Sequence, residues 1–208
     1  MSFRSLPQNT KDALDEINRK YSRILQEYGF YLAGGTALAL QYDHRISYDL
    51  DFFSQKAFDP AELLAQFARM GVENTETSTG TVKFYYNNCQ VSFFYYPYEV
   101  LQTFVELENY AVDLASPLDI GLMKITAIAD RSQKKDFYDL YCIAQKYEGL
   151  QRIVQEFKVK YPQANLYHYL KALSYFEDAD ASPEPNLLED IGWDQVKEYL
   201  KGELKTIL

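Results

Sequence analysis

A short apolar run, Phe30–Tyr31–Leu32–Ala33, enters the glycine pair Gly34–Gly35 without a spacer, and Thr36 leads on into the helix-forming stretch Ala37–Gln41. That order of strand, glycine turn and helix narrows the folds open to the chain more than any other feature. It requires a sheet with at least one helix packed on it. It also sets the free N–H groups of a helix start beside backbone that carries no side chains. The next segment, Ser47–Phe53, alternates polar and apolar residues, which predicts a strand with Asp49 and Asp51 on one face.

Upstream, Leu14, Ile17, Tyr21, Ile24 and Leu25 recur at helical spacing and predict a helix over 11–27, closed by Gly29. Downstream, 58–70 reads as a helix with Asp59 as N-cap and Pro60 in the first turn. Residues 81–86 and 90–96 read as strands joined by Asn87–Asn88, and 107–115 holds a further short strand. Ser116-Pro117-Leu118-Asp119 has the form of a capping box opening a helix to Ala129. Helices follow over 134–147, 150–160, 166–176 and 193–207, with a loop over 177–190 containing Pro183 and Pro185. Strands and helices mix as far as Ala115 and helices alone follow, so the fold class is α+β, in two regions, 1–115 and 116–208.

Composition narrows function by exclusion. The chain has 30 acidic against 21 basic residues, a net charge of −9, which argues against sequence-blind coating of nucleic acid but leaves room for a local basic site. Two cysteines, Cys89 and Cys142, frame no disulfide scaffold and point to a reducing compartment. The start MSFRSLPQ lacks the apolar core of a signal peptide and no 18-residue apolar run exists, so a cytoplasmic protein without a membrane span is expected. Walker, HExxH and CxxC motifs are absent.

Two features carry chemistry. A glycine pair before a helix admits close approach of a phosphate to the helix N–H groups, although a plain turn uses the same residues. Asp49 and Asp51 repel one another unless a cation lies between them, and hard carboxylate oxygens suit a divalent one. A solvated strand face is the bland alternative, but Leu50, Phe52 and Phe53 put the pair at the rim of a core. Joined in one site, a phosphate cradle and a metal-binding pair form the layout that nucleotidyl transfer needs. The metal bridges phosphate oxygens while the triphosphate is fixed for in-line attack at the α-phosphorus.

Thirteen residues separate Gly35 from Asp49-Leu50-Asp51, and this spacing resembles the signature of the DNA polymerase beta-like nucleotidyltransferase superfamily. The strings LAGGTALAL, HRISYDLDFF and LMKITAIADRSQKKDFYDLY, between Phe30 and Tyr141, resemble the AbiEii/AbiGii toxin family of nucleotidyltransferases more closely. The resemblance implies a mixed sheet flanked by helices, with a helical C-terminal region packed on that core. It implies the toxin of a bacterial toxin–antitoxin or phage-defence system, moving NMP from an NTP to a hydroxyl of RNA or protein. Some relatives, the MenT-type toxins, modify the tRNA 3′ end. Mg²⁺ or Mn²⁺ is the implied cofactor and an antitoxin the implied partner.

By the same resemblance Gly34, Gly35 and Thr36 line the nucleotide phosphates, and Asp49 and Asp51 hold the metal. Lys124 reaches the triphosphate, and Asp136 acts near the nucleotide or the attacking hydroxyl. Asp139 is an alternative for that role or a partner for a nearby base. His44 and Arg45 belong to the site, or form a plain surface loop with an ion pair. The basic run Arg131, Lys134 and Lys135 reads either as substrate contact or as a solvated face. His168 reads as packing or surface, and both cysteines as inert. One position departs from the superfamily: alternation in 90–94 puts Ser92 where a third carboxylate is expected. That leaves open one metal, a substitute acid, or altered activity. The alternative function is a catalytically weakened nucleotide-binding or protein-interaction module on the same fold.

Overall fold

In a computed structural model, which describes residues 3–147 and 149–207, Ala13, Leu14, Ile17, Tyr21 and Leu25 form the buried face of α1 (Gln8–Tyr28). Gly29 closes this helix in the left-handed region, φ 63° and ψ 40°, a conformation glycine takes without steric cost. The chain then forms β1 (Tyr31–Ala33), buried throughout, and passes directly into α2 (Gly34–Tyr42). The glycine pair is therefore the first turn of the helix itself.

Strands β2 (Leu50–Ser54), β3 (Glu73–Ser78), β4 (Thr81–Tyr86) and β5 (Cys89–Tyr95) join β1 in one sheet of order β1-β2-β5-β4-β3. The β2–β5 pair is parallel and the other pairs are antiparallel. Leu50, Phe52, Val82, Phe84, Val91 and Phe93 alternate onto one face and are fully buried. Phe52 and Phe93 stack with ring centroids 4.9 Å apart, and Phe67 packs 5.0 Å from Phe93. Register places Asp51, Ser92, Lys83 and Glu76 in one row across the opposite face.

Several elements differ from the sequence pattern. The strand expected over 47–53 begins only at Leu50, because Ser47 is buried and its N–H bonds to the Ser5 carbonyl. The helix expected over 58–70 is α3 (Pro60–Gln66), capped by the Asp59 carboxylate and followed by a 3₁₀ turn. Residues 107–115 form no strand, only isolated bridges at Leu114 to Leu32 and Val105. Strand β3 has no sequence signature: all six residues are exposed, so no apolar alternation marks it.

The chain divides into two compact units: Met1–Glu99 with Thr103–Ala115, and Val100–Gln102 with Ser116–Leu208. The second holds α4 (Pro117–Arg131), α5 (Lys134–Lys146), α6 (Leu150–Lys160), α7 (Leu166–Ala172), α8 (Glu177–Asp180) and α9 (Trp193–Ile207). Ser116 caps α4, accepting the Asp119 N–H at 3.0 Å and donating to the Asp119 carboxylate at 2.8 Å. Helix α7 stops before the apolar pattern does, and Phe176 turns inward to Phe137 and Trp193. The single turn of α8 follows, inside the stretch expected to be loop. Among the described residues no helix is long and apolar enough to cross a membrane.

Gly202 lies inside α9, and a Cβ built there meets nothing within 4 Å. Gly202→Ala should therefore raise stability by about 0.5–1 kcal/mol, read as a higher urea midpoint.

Candidate active site

Gly34 has a left-handed φ of +68°, and a Cβ there would lie 3.0 Å from Asp51 Oδ2. Without that atom the Asp51 carboxylate closes against the start of α2. Gly35 makes room for something else. A Cβ on it would overlap Arg45 Nη2 and lie 3.1 Å from Ser47 Oγ. Arg45 is buried, with Nη1 donating to the Ile46 carbonyl at 3.0 Å, and His44 beside it is also buried. Thr36 is turned inward: its hydroxyl donates to the Asp49 carbonyl and shares a 2.9 Å hydrogen bond with the Ser47 hydroxyl. The start of α2, the loop with His44 and Arg45, and Asp49-Leu50-Asp51 thus interlock. Gly35→Ala should displace the Arg45 guanidinium and cost about 1–3 kcal/mol in urea unfolding, with reduced activity.

Asp49 and Asp51 are half-buried at the edge of this piece. Ser92 stands directly opposite Asp51 in the parallel register. Its hydroxyl is fully buried and has no hydrogen-bond partner. Among the described residues no group of three or more His, Cys, Asp or Glu side chains converges. The donor set present is two carboxylates beside unfilled hydrogen-bonding capacity. That fits a hard divalent cation which takes one or two protein carboxylates and completes its shell with phosphate oxygens and water.

In the helical unit Lys124 Nζ lies 2.7 Å from Asp136 Oδ1 and 2.6 Å from Asp139 Oδ2, all three side chains being buried. Arg131 grips Asp136 with two N–H groups at 2.8 and 2.9 Å. Burial alone would raise the Asp136 carboxyl, but the charges of Lys124 and Arg131 outweigh it and hold the group below the usual range. Asp136 and Asp139 are both partners of the same lysine, three residues apart on one face of α5.

Lys134 is neither solvated nor open to a ligand. It is buried, its Nζ pairs with Glu184 at 2.7 Å, and its N–H bonds to Ser182. Tyr138 donates to the same Glu184 at 2.9 Å, so the start of α5 anchors the following loop. Burial pushes the Cys89 thiol up to about 12, which keeps it protonated and unreactive at neutral pH. Cys142 is buried and His168 is exposed.

A mixed sheet whose carboxylate-bearing strand lies against a glycine-opened helix is nucleotidyltransferase architecture, and the comparisons agree that the chain is such a transferase. It belongs to the family described as nucleotidyl transferase AbiEii toxin, type IV toxin–antitoxin system, which its residues 17–206 match. It is 37% identical over 185 residues to the uncharacterized protein aq_aa25 of Aquifex aeolicus, covering 86% of this chain and 88% of that one. The solved structure of JHP933 from Helicobacter pylori shares the fold, with 18% identity, coverage of 97% and 93%, and a TM-score of 0.54. So does MenT4, the nucleotidyltransferase toxin Rv2826c of Mycobacterium tuberculosis H37Rv, with 17% identity, coverage of 96% and 86%, and a TM-score of 0.51.

Proposed function

We propose that the chain is a magnesium-dependent enzyme that moves NMP from an NTP to a hydroxyl of a macromolecule. The acceptor is an RNA end, as at a tRNA 3′ end, or a protein side chain. In this reading it acts in the cytoplasm as a toxin restrained by a cognate antitoxin, with residues 1–115 as the catalytic core. The observation that supports it most is the Asp51 carboxylate seated against Gly34, where a helix start and a carboxylate pair meet.

The open N–H groups at the start of α2 bind the phosphate oxygens of the triphosphate. Asp49 and Asp51 would hold the Mg²⁺. When bound, that cation supplies positive charge to the phosphate oxygens and favours ionisation of the acceptor hydroxyl. Thr36 and Ser47 fix the backbone at Asp49, and Arg45 stiffens the turn from behind Gly35. The acceptor oxygen bonds to the α-phosphorus in line, and the bond from that phosphorus to the β-phosphate bridge breaks, releasing pyrophosphate. Lys124 and Asp136 enter the reading through the family motif.

The test is incubation with each NTP labelled at the α-phosphate, together with Mg²⁺ and total RNA or lysate protein. Label should become acid-insoluble with at least one nucleotide. Transfer from none would overturn the reading. The neutral Ser92 beside Asp51 favours one second reading, a nucleotide-binding module without turnover. Tight NTP binding by calorimetry with no transfer would establish that instead.

A further inference from the structure

The row that carries Asp51 continues past Ser92. On the far side of Ser92, in the antiparallel register of β4 and β5, stands Lys83. Lys83 is half-buried, its Nζ lies 6.0 Å from the centroid of the Phe94 ring, and it makes no ion pair with any described residue. Glu76 faces it from the edge strand without pairing to it. A lysine whose stem is partly covered and whose ammonium is held in no ion pair, on the face that carries the candidate carboxylates, can offer that charge to an anion arriving there.

Ser92 explains how the ammonium stays available. An acid at that position would stand between Lys83 and Asp51 and compete for the ammonium from the side of the carboxylates, whereas Glu76 lies on the outer side. A serine hydroxyl carries no charge, so between Lys83 and Asp51 the row holds no acid to compete for the ammonium.

Direction within the site says which anion. The start of α2 lies on the β1 side of Asp51, and a triphosphate tail held there leaves in that direction. In-line displacement brings the attacking group from the opposite side of the α-phosphorus. Along the sheet that is the side of β5 and β4, where Lys83 stands two strand spacings from Asp51, roughly 10 Å. We propose that Lys83 is a binding residue of this site, its ammonium contacting a substrate phosphate on the acceptor side of the carboxylates. The inference rests on the nucleotidyl-transfer reading above.

The test compares the wild-type chain with Lys83→Met, which keeps the stem and removes the charge, and Lys83→Arg, which keeps both. Far-UV circular dichroism first confirms that each variant folds. Binding is then measured by calorimetry in two arms: Mg²⁺ with each NTP, and a mixed-sequence single-stranded oligoribonucleotide at several salt concentrations. Lys83→Met should weaken oligoribonucleotide binding about 5–10-fold and lower its salt slope by about one contact, with Lys83→Arg close to wild type. NTP binding should change less than about twofold by the same reasoning. A loss confined to the NTP arm would instead assign Lys83 to the nucleotide's own phosphates. Unchanged binding in both arms, or a wild type that binds NTP but no oligoribonucleotide, would overturn the role of Lys83 alone. A wild type that binds no NTP would overturn the underlying reading, and the inference with it.

Discussion

Asp51→Asn should lower nucleotidyl transfer by about 10³-fold or more while the protein stays folded. Asparagine has nearly the same shape, so the side chain still fits against Gly34, where a Cβ would already lie 3.0 Å from the carboxylate. What changes is charge: the pair Asp49 and Asp51 loses half of its negative charge, and a hard cation held by two carboxylates is left with one. Asparagine keeps the shape and still accepts a hydrogen bond, so stability should change by no more than about 1 kcal/mol. Activity lost at preserved stability is what separates a functional carboxylate from a structural one. The measurement pairs a transfer assay with urea unfolding. Asp49→Asn should act in the same direction.

Asp119→Ala should cost about 3–5 kcal/mol, enough to unfold much of the helical unit at 37 °C. The Asp119 carboxylate accepts from the Leu101 N–H at 3.0 Å, the Gln102 N–H at 3.1 Å, the Ser116 hydroxyl at 2.8 Å and Lys160 Nζ at 2.8 Å. Both Asp119 and Lys160 are almost wholly buried. Removing the acid takes the carboxylate away from a buried ammonium and leaves several buried donors without their acceptor. Lys160→Met should cost less, because three donors would still satisfy the carboxylate. The double variant Asp119→Leu with Lys160→Met should recover part of the loss. Chemical unfolding followed by helical circular dichroism gives the order. An Asp119→Ala variant as stable as wild type would contradict the anchoring role.

What was legible in the sequence follows from what is local. The cap at Ser116, the end of α1 at Gly29 and the spacing from Gly35 to Asp49 are each set by neighbouring residues, and each is seen in the structure. The start of β2 was not legible, because Ser47 is drawn inward by Ser5, more than 40 positions earlier. Strand β3 leaves no sequence pattern because an exposed edge strand has no face to bury and no alternation to show. The place of Lys83 is illegible in the sequence for a related reason. Its alternation with Val82 and Phe84 marks a strand, but only the pairing of β4 with β5 and of β5 with β2 aligns it with Asp51. The burial of Lys134 has no sequence sign because Glu184, its partner, lies in a stretch with no helical pattern of its own.

The position of the label tests the central claim most directly. Parallel reactions receive the same NTP labelled at the α- or at the γ-phosphate, with Mg²⁺ and the acceptor fraction. The account predicts that the α-label enters the acceptor while the γ-label leaves as pyrophosphate, and that Asp51→Asn abolishes both events. Retention of the γ-label on the acceptor, or transfer unaffected by Asp51→Asn, would contradict it.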